Sequence, residues 1–357
     1  MPTRRPSKAH HRSSATPNTA PRGPTVPAAR RKGARAVVSA LQPGARVILT
    51  THVNADGDGA GSEVALWHLL RAAGCQPVIA NPTPFPDRFR FLLAGADGAE
   101  HSARAAREIA RADLVLVCDI SDLGRIGHLG EHVRKRGVPV ACIDHHVSNG
   151  TLPDGARLVD PAAAATGELV YDLARVAGWP VPPVAAQALY VALLTDTGGF
   201  RFSNTSPRAL QVAAALLERG LDPEAIYTQV YASVPEGRIR LIAEALDTLA
   251  VEIPPGIAWL TVPPGALERH GVPSDELDGV VEFARSIADV RLALLFREIA
   301  GGRIKVSFRS VGDVDVAKLA ERFAGGGHRK AAGASLEGTL AEVQERVLTA
   351  ARELLDA

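Results

Sequence analysis

The sequence contains few cysteines and no long apolar run, and both absences limit the classes of protein to consider. Its 357 residues include only Cys75, Cys118 and Cys142, an odd number at wide spacing. Cys118 and Cys142 lie inside apolar runs, which indicates buried free thiols in a reducing compartment rather than a disulfide framework. No stretch approaches the roughly 20 apolar residues that cross a bilayer. We therefore expect a cytoplasmic protein with no membrane partner.

Acidic residues are absent from the first 55 positions, and Asp56 is the first in the chain. Residues 1–36 hold nine of the 40 basic residues, so the other 31 face 39 acidic ones and that part carries a net charge of −8. The leading segment is rich in Pro, Ser, Thr, Ala and Arg and has no apolar periodicity, which predicts a disordered basic tail over residues 1–35. The tail could attract RNA or another polyanion, or it could simply be solvated.

The length exceeds what one hydrophobic core usually holds, so two domains are expected. From residue 36 to 221, apolar runs alternate with helical patterns, among them Glu63–Ala73, Leu129–Arg136 and Thr166–Gly178. This alternation predicts an α/β domain with a mostly parallel sheet. The pattern of residues 222–248 predicts a helical linker. Residues 249–357 then predict a second, smaller α/β domain that includes a hairpin turning at Gly301-Gly302. We expect the active site in the cleft between the two domains.

Histidine and aspartate side chains follow apolar runs in four separate segments. They are His52, Asp56 and Asp58 in the first, Asp119 in the second, Asp144, His145 and His146 in the third, and Asp196 in the fourth. Open α/β folds build their sites at the carboxyl ends of strands, so these groups should converge. Each segment alone has a simpler explanation, such as a helix cap or a turn. Together they favour a metal centre, and oxygen and nitrogen donors without cysteine suit Mn²⁺, Mg²⁺ or Fe²⁺ better than structural zinc.

A glycine-rich segment in the C-terminal part suggests an anion site. Gly325-Gly326-Gly327 precedes His328 and Arg329, and glycine lets backbone N–H groups approach an oxyanion closely. It is not a Walker A loop, because the Lys-Ser/Thr pair is missing. A flexible hinge is the alternative explanation. Two further arginines, Arg201 and Arg309, are candidate phosphate clamps because the planar guanidinium suits bidentate contact.

These residues resemble the motifs of the DHH phosphoesterases, a family named for the tripeptide seen here as Asp144-His145-His146. The four motifs of that family appear in order: His52 to Asp58, then Asp119, then the tripeptide, then Thr195-Asp196-Thr197-Gly198. The segment Gly325 to Gly333 resembles the signature of the DHHA1 domain found in one branch of the family. The resemblance covers about residues 36–357. One departure is Ala55, where relatives commonly carry proline.

The resemblance implies a centre of two divalent ions, preferably Mn²⁺ with Mg²⁺ as the alternative. It implies that His52 and Asp56 hold one ion, that Asp58, His145 and Asp196 hold the other, and that Asp119 bridges the two. Asp144 would orient the histidines, and His146 would face the substrate phosphate or protonate the leaving oxygen. The implied substrate contacts are Arg201, Arg309, Gly326, Gly327, His328 and Arg329.

The substrate class also comes from the resemblance. A short chain with DHH and DHHA1 domains is similar to enzymes that hydrolyse very short single-stranded RNA or DNA oligonucleotides to mononucleotides and convert adenosine 3′,5′-bisphosphate (pAp) to AMP. One alternative is a phosphodiesterase of a cyclic-dinucleotide pathway that acts on pApA. Another is a non-catalytic nucleotide-binding regulator. A homodimer is compatible with the resemblance.

Overall fold

The structure, a computed structural model, describes residues 23–120, 122–147, 155–277, 279–299 and 301–356. The chain divides into two units, the first ending at Ala232 and the second beginning at Ser233. The segment predicted as a linker, residues 222–248, is shared between them. One of its two helices belongs to the first unit and the other to the second.

In the described part of the chain, the first unit contains one sheet of five parallel strands. They are β1 (Arg46–Thr50), β2 (Gln76–Ile79), β3 (Leu114–Cys118), β4 (Val140–Asp144) and β5 (Gly155–Val159), in the spatial order β2-β1-β3-β4-β5. Every neighbouring pair is parallel, so the carboxyl ends of all these strands meet at one edge. The predicted parallel sheet is confirmed. Its order places the residues that follow β1, β3 and β4 side by side.

Helices cover both faces of this sheet. They are α1 (Ala28–Ala40), α2 (Gly57–Ala72), α3 (Ala105–Ile109), α4 (Leu129–Arg136), α5 (Thr166–Ala177), α6 (Pro183–Asp196), α7 (Pro207–Leu217) and α8 (Pro223–Tyr231), with short 3₁₀ turns at Asp87–Leu93, Ser102–Arg104 and Leu123–Ile126. Alternate residues of β3 point to opposite faces. Leu116 packs in a core with α1, α2, α5 and α6, whereas Val115 and Val117 pack in a second core with α3 and α4.

Glycines allow α2 and α6 to approach each other closely. A Cβ atom added at Gly61 would lie 2.4 Å from the carbonyl oxygen of Ala188, and one added at Gly57 would lie 2.4 Å from the side chain of Thr195. A larger residue at either position would therefore push the helices apart. This packing brings the first turn of α2 next to the end of α6.

The predicted disordered tail is wrong for residues 28–35, which form the first two turns of α1. Arg30 is only 3% exposed and pairs with Asp160, Glu168 and Asp172. Its partners lie at least 130 positions away in the sequence. A basic local composition could not reveal that this charge is neutralised inside the unit. Residues 1–22 of the predicted tail lie outside the described residues.

The second unit has a mixed sheet in the order β10-β11-β9-β8-β7-β6. Its strands are β6 (Ala250–Glu252), β7 (Ile257–Val262), β8 (Leu292–Ile299), β9 (Arg303–Ser310), β10 (Gly326–His328) and β11 (Ala331–Glu337). Its helices are α9 (Glu236–Leu246), α10 (Ala266–His270), α11 (Val280–Arg285), α12 (Val316–Glu321) and α13 (Leu340–Asp356), with a 3₁₀ turn at Ser274–Leu277. The antiparallel pairing of β8 with β9 confirms the hairpin predicted at Gly301-Gly302. This unit is the predicted smaller α/β domain.

Across the residues that the structure describes, none of the helices combines the length and apolar character needed to span a bilayer.

Candidate metal centre

The first candidate ligands lie on the turn between β1 and α2. Helix α2 begins at Gly57, earlier than the helical pattern that the sequence shows from residue 63, because Asp56 caps it. Oδ1 of Asp56 accepts 3.0 Å hydrogen bonds from the backbone N–H groups of Asp58 and Gly59. Oδ2 of Asp56 lies 3.8 Å from Nε2 of His52. Asp58 itself is buried in the first turn.

Asp119 follows β3 and faces three histidines. Its φ is 60°, a left-handed backbone conformation that few non-glycine residues adopt, and only 2% of the residue is exposed. Its Oδ2 lies 3.5 Å from Nε2 of His52. Its Oδ1 lies 3.5 Å from both Nε2 of His145 and Nδ1 of His146. One buried carboxylate thus connects the residues that follow β1, β3 and β4.

His145 also faces a second set of carboxylates. Its Nε2 lies 3.7 Å from Oδ2 of Asp58 and 3.5 Å from Oδ2 of Asp196, the last residue of α6. Its Nδ1 lies 3.3 Å from the carbonyl oxygen of Ala163. With the proton on Nδ1, that nitrogen donates to the carbonyl and Nε2 presents its lone pair to the site.

The other two histidines are oriented by separate hydrogen bonds. Oδ1 of the buried Asp144 accepts from the backbone N–H of His146 at 3.1 Å and lies 2.7 Å from its ring Nδ1. Nδ1 of His52 lies 3.0 Å from the carbonyl oxygen of Val53. Metal-binding histidines are commonly held as His52 is, by a hydrogen bond on the ring nitrogen that does not face the other candidate ligands.

Among the residues that the structure describes, three overlapping sets of side chains could each hold a cation. In each set the candidate ligand atoms lie within 4.8 Å of one another. The sets are His52, Asp56 and Asp119; Asp58, His145 and Asp196; and Asp119, His145 and His146. The structure therefore brings together predicted ligands from all four sequence segments, and Asp119 belongs to two of the sets.

The charge distribution of the site favours bound cations. Burial and neighbouring carboxylates raise the pKa of Asp58 well above its ordinary value and raise the pKa of Asp196 to about 7. Burial alone would lower the pKa of His145, but Asp119 and the other carboxylates raise it to about 10. The pKa of His52 is raised to about 10 for the same reason. Crowded carboxylates repel one another, and an oxygen and nitrogen donor set without thiolate fits divalent ions that relieve this repulsion.

The predicted glycine segment forms the hairpin of β10 and β11 rather than a hinge. A Cβ atom added at Gly325 would lie 2.3 Å from the carbonyl oxygen of Gly333, and one added at Gly327 would lie 2.5 Å from that of Ala331. Close strand contact therefore explains these two glycines. At Gly326, however, an added Cβ would meet no atom within 4 Å. Gly326 is the member of the segment whose backbone lies beside open space.

The candidate arginines already have partners within their own units. In the first unit, Nε of Arg201 donates a 2.6 Å hydrogen bond to a backbone carbonyl in the turn after α6. In the second, Nε of Arg309 donates to Oε1 of Glu282 at 3.2 Å, and the exposed Arg329 donates to a backbone carbonyl at 3.0 Å. His328 is the last residue of β10. A phosphate would have to compete with these partners for the exposed Arg201 and the half-buried Arg309.

Two groups of contacts were not predicted from the sequence. The backbone N–H groups of Thr166 and Gly167 donate to the carboxylate of Asp58 at 2.6 and 2.9 Å. The side-chain amide of Asn204 donates to the carbonyl oxygen of Asp196 at 3.1 Å. The first contact had a signal, because a helix predicted to begin at residue 166 presents unpaired N–H groups there. Asn204 lies in a loop, and no local pattern distinguishes it.

Comparison with known proteins gives matches in both units. Residues 46–193 match the DHH family, N-terminal domain, and residues 257–357 match the DHHA1 domain.

Individual proteins match over most of the chain. A protein from Thermus thermophilus, named bifunctional oligoribonuclease and PAP phosphatase NrnA, is 33% identical over 317 residues, which cover 87% of this chain and 90% of the relative. A Bacillus subtilis protein of the same name is 29% identical over 295 residues, covering 81% and 89%. The crystal structure of an exopolyphosphatase-related protein from Bacteroides fragilis superposes with a TM-score of 0.84 at 27% identity, covering 92% of this chain and 98% of the other.

Proposed function

The chain belongs to the DHH family, and from this premise we propose that it is a metal-dependent hydrolase of phosphate esters. Its proposed substrates are short RNA oligonucleotides, which it cleaves to mononucleotides, and pAp, from which it removes the 3′-phosphate to give AMP. The names of the Thermus and Bacillus relatives combine these two activities, and both relatives align along most of their length.

The position of Asp119 carries this proposal. A carboxylate that is 2% exposed and faces His52, His145 and His146 at 3.5 Å is costly to bury unless cations or protonated groups compensate it. We assign Asp119 as a ligand that both of two ions would share. His52 and Asp56 would complete the ligands of the first ion, and Asp58, His145 and Asp196 would hold the second. When bound, a pair of divalent ions supplies a nucleophile at neutral pH and stabilises charge on the phosphoryl oxygens.

Two residues at the end of β4 would complete the chemistry. Asp144 fixes the ring of His146 through its 2.7 Å contact with Nδ1. With the ring held in this way, His146 is the proposed group that contacts the substrate phosphate or protonates the leaving oxygen. Asp144 acts through His146, and its burial keeps its carboxylate in place.

Substrate binding is assigned to residues of both units. Arg201 lies just beyond the last residue of α6 and is the proposed phosphate contact of the first unit. In the second unit, the proposed contacts are Arg309, Gly326, Gly327, His328 and Arg329. The open space beside Gly326 supports an approach of a phosphate to the backbone at that residue.

Three finer assignments complete the proposal. Mn²⁺ is the proposed ion, with Mg²⁺ as the alternative, because the donor set is imidazole and carboxylate. The buried free thiols of Cys75, Cys118 and Cys142 support a reducing compartment, the cytoplasm. A homodimer stays a prediction, which light scattering of the purified protein tests.

One assay separates the proposed function from its alternatives. The purified protein is stripped with EDTA, reloaded with Mn²⁺, and given a dinucleotide of mixed sequence, pAp, and pApA in parallel. We expect mononucleotides from both dinucleotides and inorganic phosphate from pAp, all dependent on the ion. Turnover of pApA alone would instead support the cyclic-dinucleotide pathway. Binding of all three without turnover would support a regulator, and either result contradicts the proposal.

A further inference from the structure

The segment from the end of β5 through the first residues of α5, residues 160–168, contacts the candidate metal centre with its backbone. The N–H groups of Thr166 and Gly167 donate to the two oxygens of Asp58, at 2.6 and 2.9 Å. The hydroxyl of Thr166 donates to Oδ1 of Asp119 at 3.2 Å. The beginning of α5 therefore fixes the carboxylate planes of two candidate ligands.

The same segment holds two more candidate ligands through its carbonyl oxygens. Nδ1 of His145 lies 3.3 Å from the carbonyl oxygen of Ala163. The side-chain amide of Asn204 donates to the carbonyl oxygen of Ala164 at 2.9 Å and to that of Asp196 at 3.1 Å. A displacement of residues 160–168 would consequently move the second set of candidate ligands together.

Arg30, on α1, holds both ends of this segment from the other side. Its Nε lies 2.6 Å from Oδ2 of Asp160, and its Nη1 lies 2.5 Å from Oε1 of Glu168. Each of these acids also anchors the segment's backbone. The second oxygen of Glu168 accepts from the N–H of Ala164 at 2.9 Å, and Oδ1 of Asp160 accepts from that of Ala162 at 3.0 Å.

The surrounding charges make Arg30 hard to replace. Asp172, one turn further along α5, accepts a 2.9 Å hydrogen bond from the same Nη1 of Arg30. Arg208 on α7 lies 3.0 Å from Oε1 of Glu168 and also pairs with Asp172. Two guanidinium groups thus face three carboxylates, and Arg30 is the one that reaches Asp160 at the start of the segment.

We propose that Arg30 is a positioning residue for the metal centre: its ion pairs with Asp160 and Glu168 hold residues 160–168 in the place where their backbone orients Asp58 and His145. This inference rests on the proposed function, because it concerns the ligands assigned above. A merely structural ion pair would stabilise the fold without changing the affinity of the folded protein for metal.

The test compares Mn²⁺ binding and unfolding in matched variants. Arg30→Met keeps most of the side-chain volume and removes the charge. Asp160→Asn removes one ion pair, while the amide oxygen can still accept from Ala162. Arg35→Met, at an exposed arginine of the same helix, is the control. Binding is measured by calorimetry at a temperature where circular dichroism shows each variant to be folded.

We expect Arg30→Met to weaken the binding of one Mn²⁺ by about tenfold or more, as loss of a group that orients a ligand does. Asp160→Asn should also weaken Mn²⁺ binding, but by a smaller factor. Arg35→Met should bind Mn²⁺ with the affinity of the wild type. Dinucleotide hydrolysis by Arg30→Met and Asp160→Asn should recover as the Mn²⁺ concentration is raised. At saturating Mn²⁺, the KM for the dinucleotide should equal that of the wild type.

Wild-type Mn²⁺ affinity in folded Arg30→Met, together with a lower Tm, would overturn the inference and leave Arg30 a structural residue. If Arg30→Met does not fold, Asp160→Asn decides alone, and wild-type affinity in that variant has the same meaning. Asp58→Asn is the positive control. If the wild type binds no Mn²⁺ at all, the proposed function has failed rather than this inference.

Discussion

The backbone N–H of Thr166 donates a 2.6 Å hydrogen bond to Oδ2 of Asp58, a residue 108 positions earlier in the chain. The hydroxyl of Thr166 donates at the same time to Oδ1 of Asp119. The first turn of α5 thus directs donors at two buried carboxylates, where the positive end of the helix dipole also favours negative charge. These contacts let the acids remain crowded together without protonation of both.

Replacing Thr166 with valine should show how much each of the two contacts contributes. Thr166→Val keeps the N–H bond to Asp58 but removes the hydroxyl that orients Asp119. We expect kcat on a dinucleotide to fall by about tenfold, the effect of losing roughly one hydrogen bond to a charged group. Thr166→Ser keeps the hydroxyl and should restore most of the activity. Equal activity in the valine and serine variants would show that the hydroxyl does not orient Asp119.

The close approach of α2 and α6 predicts a large loss of stability from a single methyl group. Gly61→Ala places Cβ 2.4 Å from the backbone oxygen of Ala188. We expect the free energy of unfolding to fall by about 2 kcal/mol, the usual cost of overpacking a core. Urea denaturation measures it. Gly124→Ala, where the added Cβ would meet Asp122 at an ordinary 3.4 Å, should change stability far less. Equal losses in the two variants would contradict the packing argument.

Glu63 should make stability fall as the pH rises. Burial raises the pKa of Glu63 from 4.5 to about 8. The folded state therefore binds a proton that the unfolded state has already released between these values, so the wild type loses stability as pH increases through this window. Glu63→Gln stays neutral and keeps an oxygen for the amide of Asn81. In EDTA, its Tm should exceed that of the wild type by an amount that grows from pH 5 to pH 9.

The control for this pH effect is Glu131→Gln, which replaces an exposed carboxylate on α4. Its Tm difference from the wild type should show no comparable growth with pH. If the Tm difference between Glu63→Gln and the wild type stays constant or shrinks toward pH 9, Glu63 is already ionised in the folded protein.

Two N-terminal deletions should differ sharply in their effect on stability. Deleting residues 1–22 removes five basic residues, Arg4, Arg5, Lys8, Arg12 and Arg22. Dinucleotide turnover and Tm should hardly change, because so short a substrate gains little from long-range attraction in salt. Deleting residues 1–34 also removes Arg30 and leaves Arg208 as the remaining guanidinium beside the buried Glu168 and Asp172. That deletion should lower the free energy of unfolding by about 3 kcal/mol or more. Similar Tm values for the two proteins would contradict this role of α1.

The sequence predicts the parts of this molecule that are governed by local pattern. Apolar runs locate β3 and β4, and the polar residues that end them identify Asp119 and Asp144 as site residues. Helix α4 occupies the residues that its pattern predicts, Leu129–Arg136. In such segments one face of the strand or helix is buried, so the spacing of apolar residues in the sequence follows the local structure.

Other parts depend on contacts between distant residues and could not be predicted in this way. The charge of Arg30 looked like part of a solvated tail because its acidic partners follow β5, far along the chain. The early start of α2 was missed because glycines, which weaken a helix pattern, are required there by the approach of α6. The sequence also did not predict the hairpin of β10 and β11. Gly325 and Gly327 are required because the neighbouring strand lies close to their backbone, and this contact leaves no local signal in the sequence.

The most direct test of the account is metal stoichiometry and hydrolysis in Asp119→Asn. This substitution keeps the size of a side chain that faces all three histidines at 3.5 Å but removes its charge. The account predicts that Mn²⁺ bound per chain falls below two and that hydrolysis of dinucleotide and pAp falls by at least about a thousandfold, as loss of a central catalytic group does. Because Asp119 also faces three histidines in the metal-free protein, circular dichroism must show that the variant is folded at the assay temperature. Asp87→Asn, at an exposed aspartate, should behave like the wild type. Two bound Mn²⁺ ions and near-wild-type turnover in Asp119→Asn would contradict the central claim.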